Sequence, residues 1–181
     1  MLPAGLITGL EIFRSGSDVK VAHNGKICDY LELHSTVREP FQVELIADKN
    51  AIKVLNDYFK LFSGDEMEEK FVGCRYGTLD SVPDVAGCIT HPDAPNCENI
   101  LTCPGFNVIC KIPAGVNGTL SACEYKVMVL VSQGKLDKEI ADIMQIELST
   151  VRTYQERIRT KLGVNNKIEI ALWAHNKGVS K

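Results

Sequence analysis

Cysteine is the residue type with the most evident chemistry in this sequence. Seven of the 181 residues are cysteines, and five fall between positions 71 and 118, at Cys74, Cys88, Cys97, Cys103 and Cys110. From Cys97 the spacing is Cys-x5-Cys-x6-Cys, which is wider than the paired knuckles of common zinc ribbons. Four thiolates close a tetrahedral shell around zinc without histidine. Zinc ligation is one interpretation, and small buried hydrophobic side chains are the other, because free cysteine is often buried.

A bound metal would matter in this stretch because the sequence shows little else that folds it. Residues 71–118 also contain five of the seven prolines and almost no helical periodicity, which predicts loop-dominated structure. A segment of that kind depends most on metal for its folding. His91 lies among the cysteines, but it precedes Pro92 in a turn-like run, which favours solvent exposure over ligation.

The second group of residues with chemical meaning is cationic and lies near the carboxyl terminus. Residues 120–181 carry 10 Lys and Arg against 7 Asp and Glu, a net +3, whereas residues 1–119 carry 10 against 16, a net −6. Arginine donates two hydrogen bonds to guanine, and flanking cations grip phosphates. The asymmetry is typical of a nucleic-acid module attached to a body that does not bind, although a solvated lysine face gives the same charge.

The elements that would position these cations are helices. Ser121 and Glu124 form a capping box that opens the first helix. A short helix is predicted over 137–144 and a longer one over 149–162, which Gly163 ends. A short helix, a turn and a longer helix with a basic outer face is helix-turn-helix geometry, in which the longer helix enters the major groove. Periodicity alone also fits an ordinary helical bundle.

The front of the chain predicts a small β-hairpin followed by helices. Two strands are expected near residues 10–13 and 19–22, and the Asn24-Gly25 turn leads into a third. Apolar residues recur at helical spacing up to Phe62, which predicts one or two amphipathic helices ending at Ser63-Gly64. Pro40 is expected at an element boundary.

These patterns predict an α+β region over residues 1–118, with a loop-rich cysteine segment at 71–118, and an all-α helix-turn-helix domain over 119–181. The composition, 45% hydrophobic and 24% charged, excludes disordered and low-complexity classes. No apolar run approaches the roughly 20 residues that span a bilayer, and the start lacks a basic signal region. The cysteine number is odd, so we expect a cytoplasmic protein with reduced thiols and no membrane partner.

The carboxyl-terminal residues resemble a known family. The matching residues are Leu120-Ser-Ala-Cys-Glu124, Gly134, Lys138-Glu-Ile-Ala141, Thr150-Val151-Arg152, Lys161-Leu-Gly-Val164 and Asn166-Lys167. They look like the LuxR-type (GerE-like) DNA-binding domain over about 60 residues. The resemblance implies a bacterial transcription regulator with four helices, of which the third reads the major groove and the fourth serves in dimerisation.

The resemblance also implies which residues contact DNA. The groove-facing positions are Arg152, Thr153 and Glu156. The positions near phosphates are Lys138, Thr150, Arg157, Lys161 and Lys167. All eight lie on or beside the predicted helix-turn-helix, which is where the family binds its operator.

Two departures from the family pattern affect this assignment. Glu156 stands where the family commonly has a basic or polar residue, and it would accept a hydrogen bond from cytosine N4 or repel a phosphate. Leu136 and Glu147 stand where the family usually has Ser or Thr. We therefore expect Asp137 and Ser149 to supply the helix caps instead.

The middle of the chain resembles a group of short bacterial and phage-associated LuxR-type regulators. The similar residues begin with Phe71-Val-Gly-Cys-Arg-Tyr-Gly-Thr-Leu-Asp80. The resemblance implies a recurring set of four cysteines, with Cys88 as an extra. That set, our expected zinc ligands, is Cys74, Cys97, Cys103 and Cys110.

The leading hypothesis is a sequence-specific transcription regulator that binds double-stranded DNA as a homodimer. Its front part would act in sensing, dimerisation or partner binding, with RNA polymerase as a candidate partner. One alternative is a sigma-factor-like polymerase-associated protein, but such a protein would lack the Lys161-Leu-Gly-Val series. The other is a cysteine-based redox or metal-responsive switch, but this sequence lacks the Cys-x-x-Cys motif of redox proteins. No paired carboxylates, phosphate-cradling glycine loop or Ser/His/Asp arrangement is present, so we expect no enzyme.

Overall fold

The computed structural model describes residues 9–80, 82–86 and 89–179. It contains two compact units. The first comprises the residues up to Pro95 together with Pro104–Lys111, and the second comprises Asn96–Cys103 together with the residues from Ile112 onward. The chain therefore passes between units three times, after residues 95, 103 and 111. The predicted division into separate domains at 118/119 stays a prediction.

The first unit is built on a five-stranded antiparallel sheet with the order β3-β2-β1-β4-β5. The strands are β1 Leu10–Ser15, β2 Asp18–His23, β3 Lys26–Asp29, β4 Val85–Ala86 and β5 Ile89–Thr90. Asn24 and Gly25 join β2 to β3 with φ angles of 49° and 75°, the left-handed conformations that a two-residue hairpin turn needs. The predicted hairpin is confirmed.

Three helices pack with this sheet: α1 Ser35–Ala47, α2 Lys49–Asp57 and α3 Gly64–Arg75. Pro40 lies inside α1, so its predicted place at a boundary is wrong. An interior proline costs a helix about 3 kcal/mol, and burial of Phe41 and Leu45 from the same helix offsets that cost.

The predicted helix end at Ser63-Gly64 is also wrong, because α2 ends at Asp57 and this dipeptide begins α3. Serine is favoured at helix starts, whereas glycine is found at both helix starts and helix ends, so Gly64 marks a boundary without giving its direction. The predicted loop over 71–118 is wrong for its first five residues, which belong to α3. Charged Glu68 and Arg75 occupy buried positions of α3, and they hide its apolar period.

Glu68 is the centre of a buried polar network in the first unit. Its carboxylate accepts hydrogen bonds from Arg38 Nε and Nη2 at 2.9 and 2.7 Å, from the Tyr30 hydroxyl at 2.6 Å and from Gln42 Nε2 at 2.9 Å. Burial acts to raise the pKa of Glu68, but the hydrogen bonds from Arg38, Tyr30 and Gln42 outweigh it and hold the pKa below its ordinary value. The network joins α1, α3 and the 3-10 turn that follows β3.

Arg75 fastens the later piece of the first unit to its helices. Its guanidinium lies 2.6 Å from Glu44 and 2.8 Å from Asp48, and its Nε donates to the Ile109 carbonyl at 2.7 Å. Arg75 is buried, so each of these partners replaces water that the charge has lost. Residues 104–111 are thereby tied to α1, α2 and α3.

The second unit contains four helices: α4 Ala122–Ser132, α5 Asp137–Met144, α6 Leu148–Leu162 and α7 Lys167–Asn176. α5 and α6 lie within one residue of the bounds predicted for them, α4 begins directly after the predicted cap at Ser121, and the fold class is confirmed for both parts of the chain. Side chains from α4 to α7 form the core, joined by Ile100 and Ile112 from the preceding segments. Among the described helices, none is long and apolar enough to cross a membrane.

Candidate nucleic-acid interface

The geometry of the interface begins with the turn between α5 and α6. Gln145 follows α5 in the left-handed conformation, with φ 54° and ψ 47°. The Ile146 N–H then donates to the Ala141 carbonyl at 3.0 Å, and α6 begins at Leu148. Three residues therefore form the turn between a short helix and a longer one, as in a helix-turn-helix.

The helix caps differ from the prediction, and the expected capping by Asp137 and Ser149 is wrong. At α5 the Leu136 N–H donates to Glu139 Oε2 at 2.7 Å, and at α6 the residue before the helix is Glu147, for which the described structure shows no side-chain cap. Asp137 is already the first residue of α5, one position too late to act as an N-cap.

Asp137 instead links three helices. Its Oδ1 accepts from Lys167 Nζ on α7 at 2.6 Å and from Gln155 Nε2 on α6 at 2.9 Å. The hydrogen bond from Lys167, followed by that from Gln155, lowers the pKa of Asp137. This contact fixes the start of α5 against the helix predicted to read DNA.

The residues predicted to face the groove lie together on the outer side of α6. Arg152, Thr153 and Glu156 are exposed, while Val151 and Ile158 of the same helix are buried. The three exposed residues line an open cleft of about 390 Å³. The other lining residues are Gln155, Arg159, Asn166, Lys167 and Ile170. The side chains in the cleft are therefore mostly hydrogen-bonding groups, as base and phosphate contacts require.

The residues predicted to lie near phosphates fall into two groups. Lys138 and Arg157 are exposed, and Thr150 is half-buried near the start of α6. Lys161 and Lys167 are instead held by carboxylates: Lys161 Nζ lies 2.6 Å from Glu124, and Lys167 Nζ lies 2.6 Å from Asp137. Phosphate contacts by these residues stay predictions.

The ion pair of Lys161 was not visible in the sequence. Glu124 is 3% exposed and also accepts from the Ser121 N–H at 2.7 Å, which completes the predicted capping box. Burial acts to raise the pKa of Glu124, but the hydrogen bonds from Lys161 and Ser121 lower it overall. The two ion-paired residues lie 37 positions apart, so the contact cannot be predicted from local sequence spacing.

The four cysteines expected to bind zinc are divided between the units. Cys74 on α3 and Cys110 belong to the first unit, and Cys97 and Cys103 to the second. Cys88 lies outside the described residues. His91 is exposed, as predicted.

Among the residues that the structure describes, no group of three or more His, Cys, Asp or Glu side chains is arranged to hold a metal ion. The zinc site stays a prediction. Elemental analysis of the purified protein beside its Cys103→Ser variant tests it, because loss of one ligand should release a metal held by four thiolates.

Comparison with known proteins bears on the second unit. Residues 118–174 match the family described as "Bacterial regulatory proteins, luxR family". These residues form a LuxR-family helix-turn-helix domain. The match takes in α4, α5 and α6 and most of α7, so the resemblance noted from the sequence is confirmed for this part of the chain.

Three regulators are similar to the LuxR-family domain. Transcriptional regulatory protein LiaR of Bacillus subtilis is 33% identical over 57 residues, which are 32% of this chain and 27% of that protein. Response regulator Rre1 of Synechocystis is 33% identical over 76 residues, 38% of this chain and 33% of that protein. The uncharacterized response regulatory protein YgeK of Escherichia coli is 38% identical over 56 residues, 31% and 38% respectively. The chain thus spans about a third of the length of these curated relatives.

Proposed function

We propose that this protein is a bacterial transcription regulator that binds specific double-stranded DNA by placing α6 in the major groove. The observation that carries the proposal is the exposed face formed by Arg152, Thr153 and Glu156, which a LuxR-family helix-turn-helix presents on its longer helix. The similar proteins are named as regulators, which supports the same function. The family is one of regulatory proteins, so the activity is binding and not catalysis.

Base recognition rests on two residues of α6. Arg152 lies near the start of the helix, directly after buried Val151, and its exposed guanidinium has the two donors that match guanine O6 and N7. Glu156 lies one helical turn later and is also exposed, and its carboxylate accepts from cytosine N4. We propose that this pair selects an operator that offers guanine and cytosine to α6.

Phosphate binding rests on cations without a carboxylate partner in the described structure. Lys138 on α5 and Arg157 on α6 are exposed, and no ion pair involves either of them among the described residues. Cations that displace counterions from DNA make the affinity fall with salt. The binding should therefore be strongly salt-dependent.

Dimerisation is proposed through α7. Ile168 and Leu172 are 80% and 57% exposed, and they lie one helical turn apart on one side of this helix. Two copies of α7 would cover these side chains and place two reading helices on a two-fold operator. We also propose that the first unit acts in sensing. RNA polymerase is proposed as a further partner, and the cytoplasm as the place of action.

The experiment is selection of bound sequences from random duplex DNA by the full-length protein. Arg152→Ala should cost about 1–3 kcal/mol on the selected site and relax the preference at one base pair. Arg157→Ala should weaken all sequences alike and reduce the salt slope by about one. Lys53→Ala, an exposed lysine on α2, serves as the control and should change neither quantity.

Enrichment of no sequence by the wild-type protein would refute the proposed function. Equal losses from Arg152→Ala on selected and random DNA would leave a DNA-binding protein that docks α6 in another way.

A further inference from the structure

We propose that the turn Gly115–Gly118 is a clip that positions α6 for DNA reading, with Asn117 as its positioning residue. The inference rests on the proposed function, because it concerns how the reading helix is held. The turn belongs to the second unit, and it follows the point at which the chain leaves the first unit, after Lys111.

Asn117 donates hydrogen bonds to carbonyl groups at the end of α6 that have no partner within the helix. Its backbone N–H donates to the Lys161 carbonyl at 2.9 Å, and its side-chain Nδ2 donates to the Thr160 carbonyl at 2.9 Å. The last carbonyls of a helix have no partner within the helix. The Arg159 carbonyl already accepts from the Gly163 N–H at 2.9 Å. Asn117 therefore supplies the donors that the local sequence after α6 does not.

Two glycines allow the turn to reach α6. A Cβ atom on Gly115 would lie 2.4 Å from the Lys161 carbonyl oxygen, which is backbone and cannot move aside cheaply. The Gly115 N–H donates to the Gly118 carbonyl at 3.0 Å and closes the turn. Gly118 has φ +134°, a conformation that L side chains rarely adopt. The close approach thus depends on the residues present at both ends of the turn.

The clip and an ion pair hold the same turn of α6. Lys161, whose carbonyl accepts from Asn117, also reaches Glu124 on α4 through its side chain. Without the clip, the ion pair and the buried side chain of Leu162 would remain to hold this end of the helix. Contacts with base edges require placement to within about half an ångström, whereas phosphate contacts tolerate small shifts. Release of the clip should therefore weaken the selected site more than random DNA.

The test compares variants of the full-length protein on the selected site and on random duplex. Asn117→Ala should weaken binding to the selected site about two- to tenfold, as expected for loss of one hydrogen bond. Gly115→Ala should weaken it further, because its side chain pushes the whole turn away from α6. The losses on random duplex should be smaller. Thr119→Ala, at an exposed neighbour, and Gly64→Ala, where a Cβ meets nothing within 4 Å, are the controls and should bind as wild type does.

Asn117→Asp separates positioning from simple stability. A carboxylate cannot donate to the Thr160 carbonyl, and it faces the negative end of the helix dipole, whereas a protonated carboxyl can donate. At pH 7 an exposed aspartate, with an ordinary pKa of about 3.9, is ionised, so Asn117→Asp should weaken the selected site more than Asn117→Ala does. The charged groups beside the clip are Lys161 and Glu124, and the pKa of Glu124 is held below its ordinary value, so Glu124 is ionised at pH 7 as well.

Two further measurements keep the outcome decisive. Trp173, the single tryptophan, lies on α7 and reports whether the second unit of each variant is folded. Hydrogen exchange of the last turn of α6 should accelerate in Asn117→Ala. Losses that are equal on selected and random DNA, an Asn117→Asp loss no larger than that of Asn117→Ala, or unchanged exchange would overturn the clip. If the wild-type protein binds no duplex, the proposed function fails, and the exchange result alone judges the clip.

Discussion

Glu68 in the first unit and Glu124 in the second are both buried glutamates, and the two sites are held in different ways. Both are 3% exposed, and in both the hydrogen-bond donors outweigh burial and lower the pKa. The donors to Glu68 come from residues 26 to 38 positions away. Glu124 draws one donor from Ser121, three positions away, and one from distant Lys161.

The difference shows which kind of contact allows a helix to be predicted from the sequence. A capping box repeats a local spacing, so Ser121 and Glu124 mark the start of α4 without any knowledge of the fold. The network around Glu68 exists only after α1 and α3 have met, and its charged residues disrupt the apolar period that would have revealed α3. A buried and paired carboxylate therefore helps to predict a helix in the second unit, whereas in the first unit it obscures one.

The largest test of this comparison is truncation of the second unit. A fragment of residues 120–181 lacks Ile100 and Ile112, which are buried in the same unit. Burial of one such side chain contributes about 1.5–3 kcal/mol, so the fragment should unfold with about 3–6 kcal/mol less free energy than residues 96–181. Urea titration followed by Trp173 fluorescence measures the difference. Equal stabilities would show that the segment from α4 onward is complete by itself.

The next test removes Glu68. Glu68→Ala leaves Arg38 in a buried place without its main partner, and Tyr30 and Gln42 lose their acceptor, so the first unit should lose about 3–5 kcal/mol of unfolding free energy. Chemical denaturation with hydrogen exchange of β1 and α1 measures the loss. Glu69→Ala, at a half-buried neighbour on the same helix, is the control and should stay within about 0.5 kcal/mol of wild type. A loss below 1 kcal/mol for Glu68→Ala would mean that the network does not hold the unit.

A smaller effect is expected at the corresponding ion pair of the second unit. Lys161→Ala leaves Glu124 with the Ser121 N–H but without its cation, and we expect a loss of about 1–3 kcal/mol in unfolding free energy. If Lys161 serves this pair rather than phosphate, the salt slope of DNA binding should stay at its wild-type value. If Lys161→Ala instead reduces the salt slope of DNA binding by about one and leaves the unfolding free energy unchanged, Lys161 contacts phosphate.

The last test contrasts the pH responses of the units. Asp84 of the first unit is 1% exposed, and burial, followed by the charge of Asp93, raises its pKa to about 10 although the Ile12 N–H opposes the shift. The folded state then holds a proton that the unfolded state, with an ordinary pKa of 3.8, releases. The contribution of Asp84 to stability therefore falls as the pH rises from about 4 to 10, by at most about 1.4 kcal/mol per pH unit.

Glu124 gives the opposite sign, because its lowered pKa stabilises the second unit above pH 4.5 and the contribution is lost as the pH falls through the folded-state pKa. Asp84→Asn keeps an acceptor for the Ile12 N–H and should flatten the pH slope of the first unit between pH 6 and 8. Unfolding curves at several pH values measure that slope. An unchanged slope in the variant would assign it to another group.

The sequence predicted the elements of the second unit more completely than those of the first. The bounds of α4 to α7 follow from caps and glycine ends, which act within one helical turn, and the exposed face of α6 follows from its apolar stripe. The predictions from Pro40 and Ser63-Gly64 were wrong because packing outweighed the local preferences of these residues. Asn117 escaped notice because its acceptors lie 43 and 44 residues further along the chain.

The interleaved order of the chain has a consequence for how such a regulator is inherited. Because the polypeptide alternates between the units after residues 95, 103 and 111, no single crossover in the gene separates one complete unit from the other. A recombination at position 118 would donate the helices of the LuxR-family domain but leave behind Ile100, Ile112 and the clip. We therefore expect a chimera whose transferred piece begins by residue 96 to be more stable than one whose transferred piece begins at residue 118.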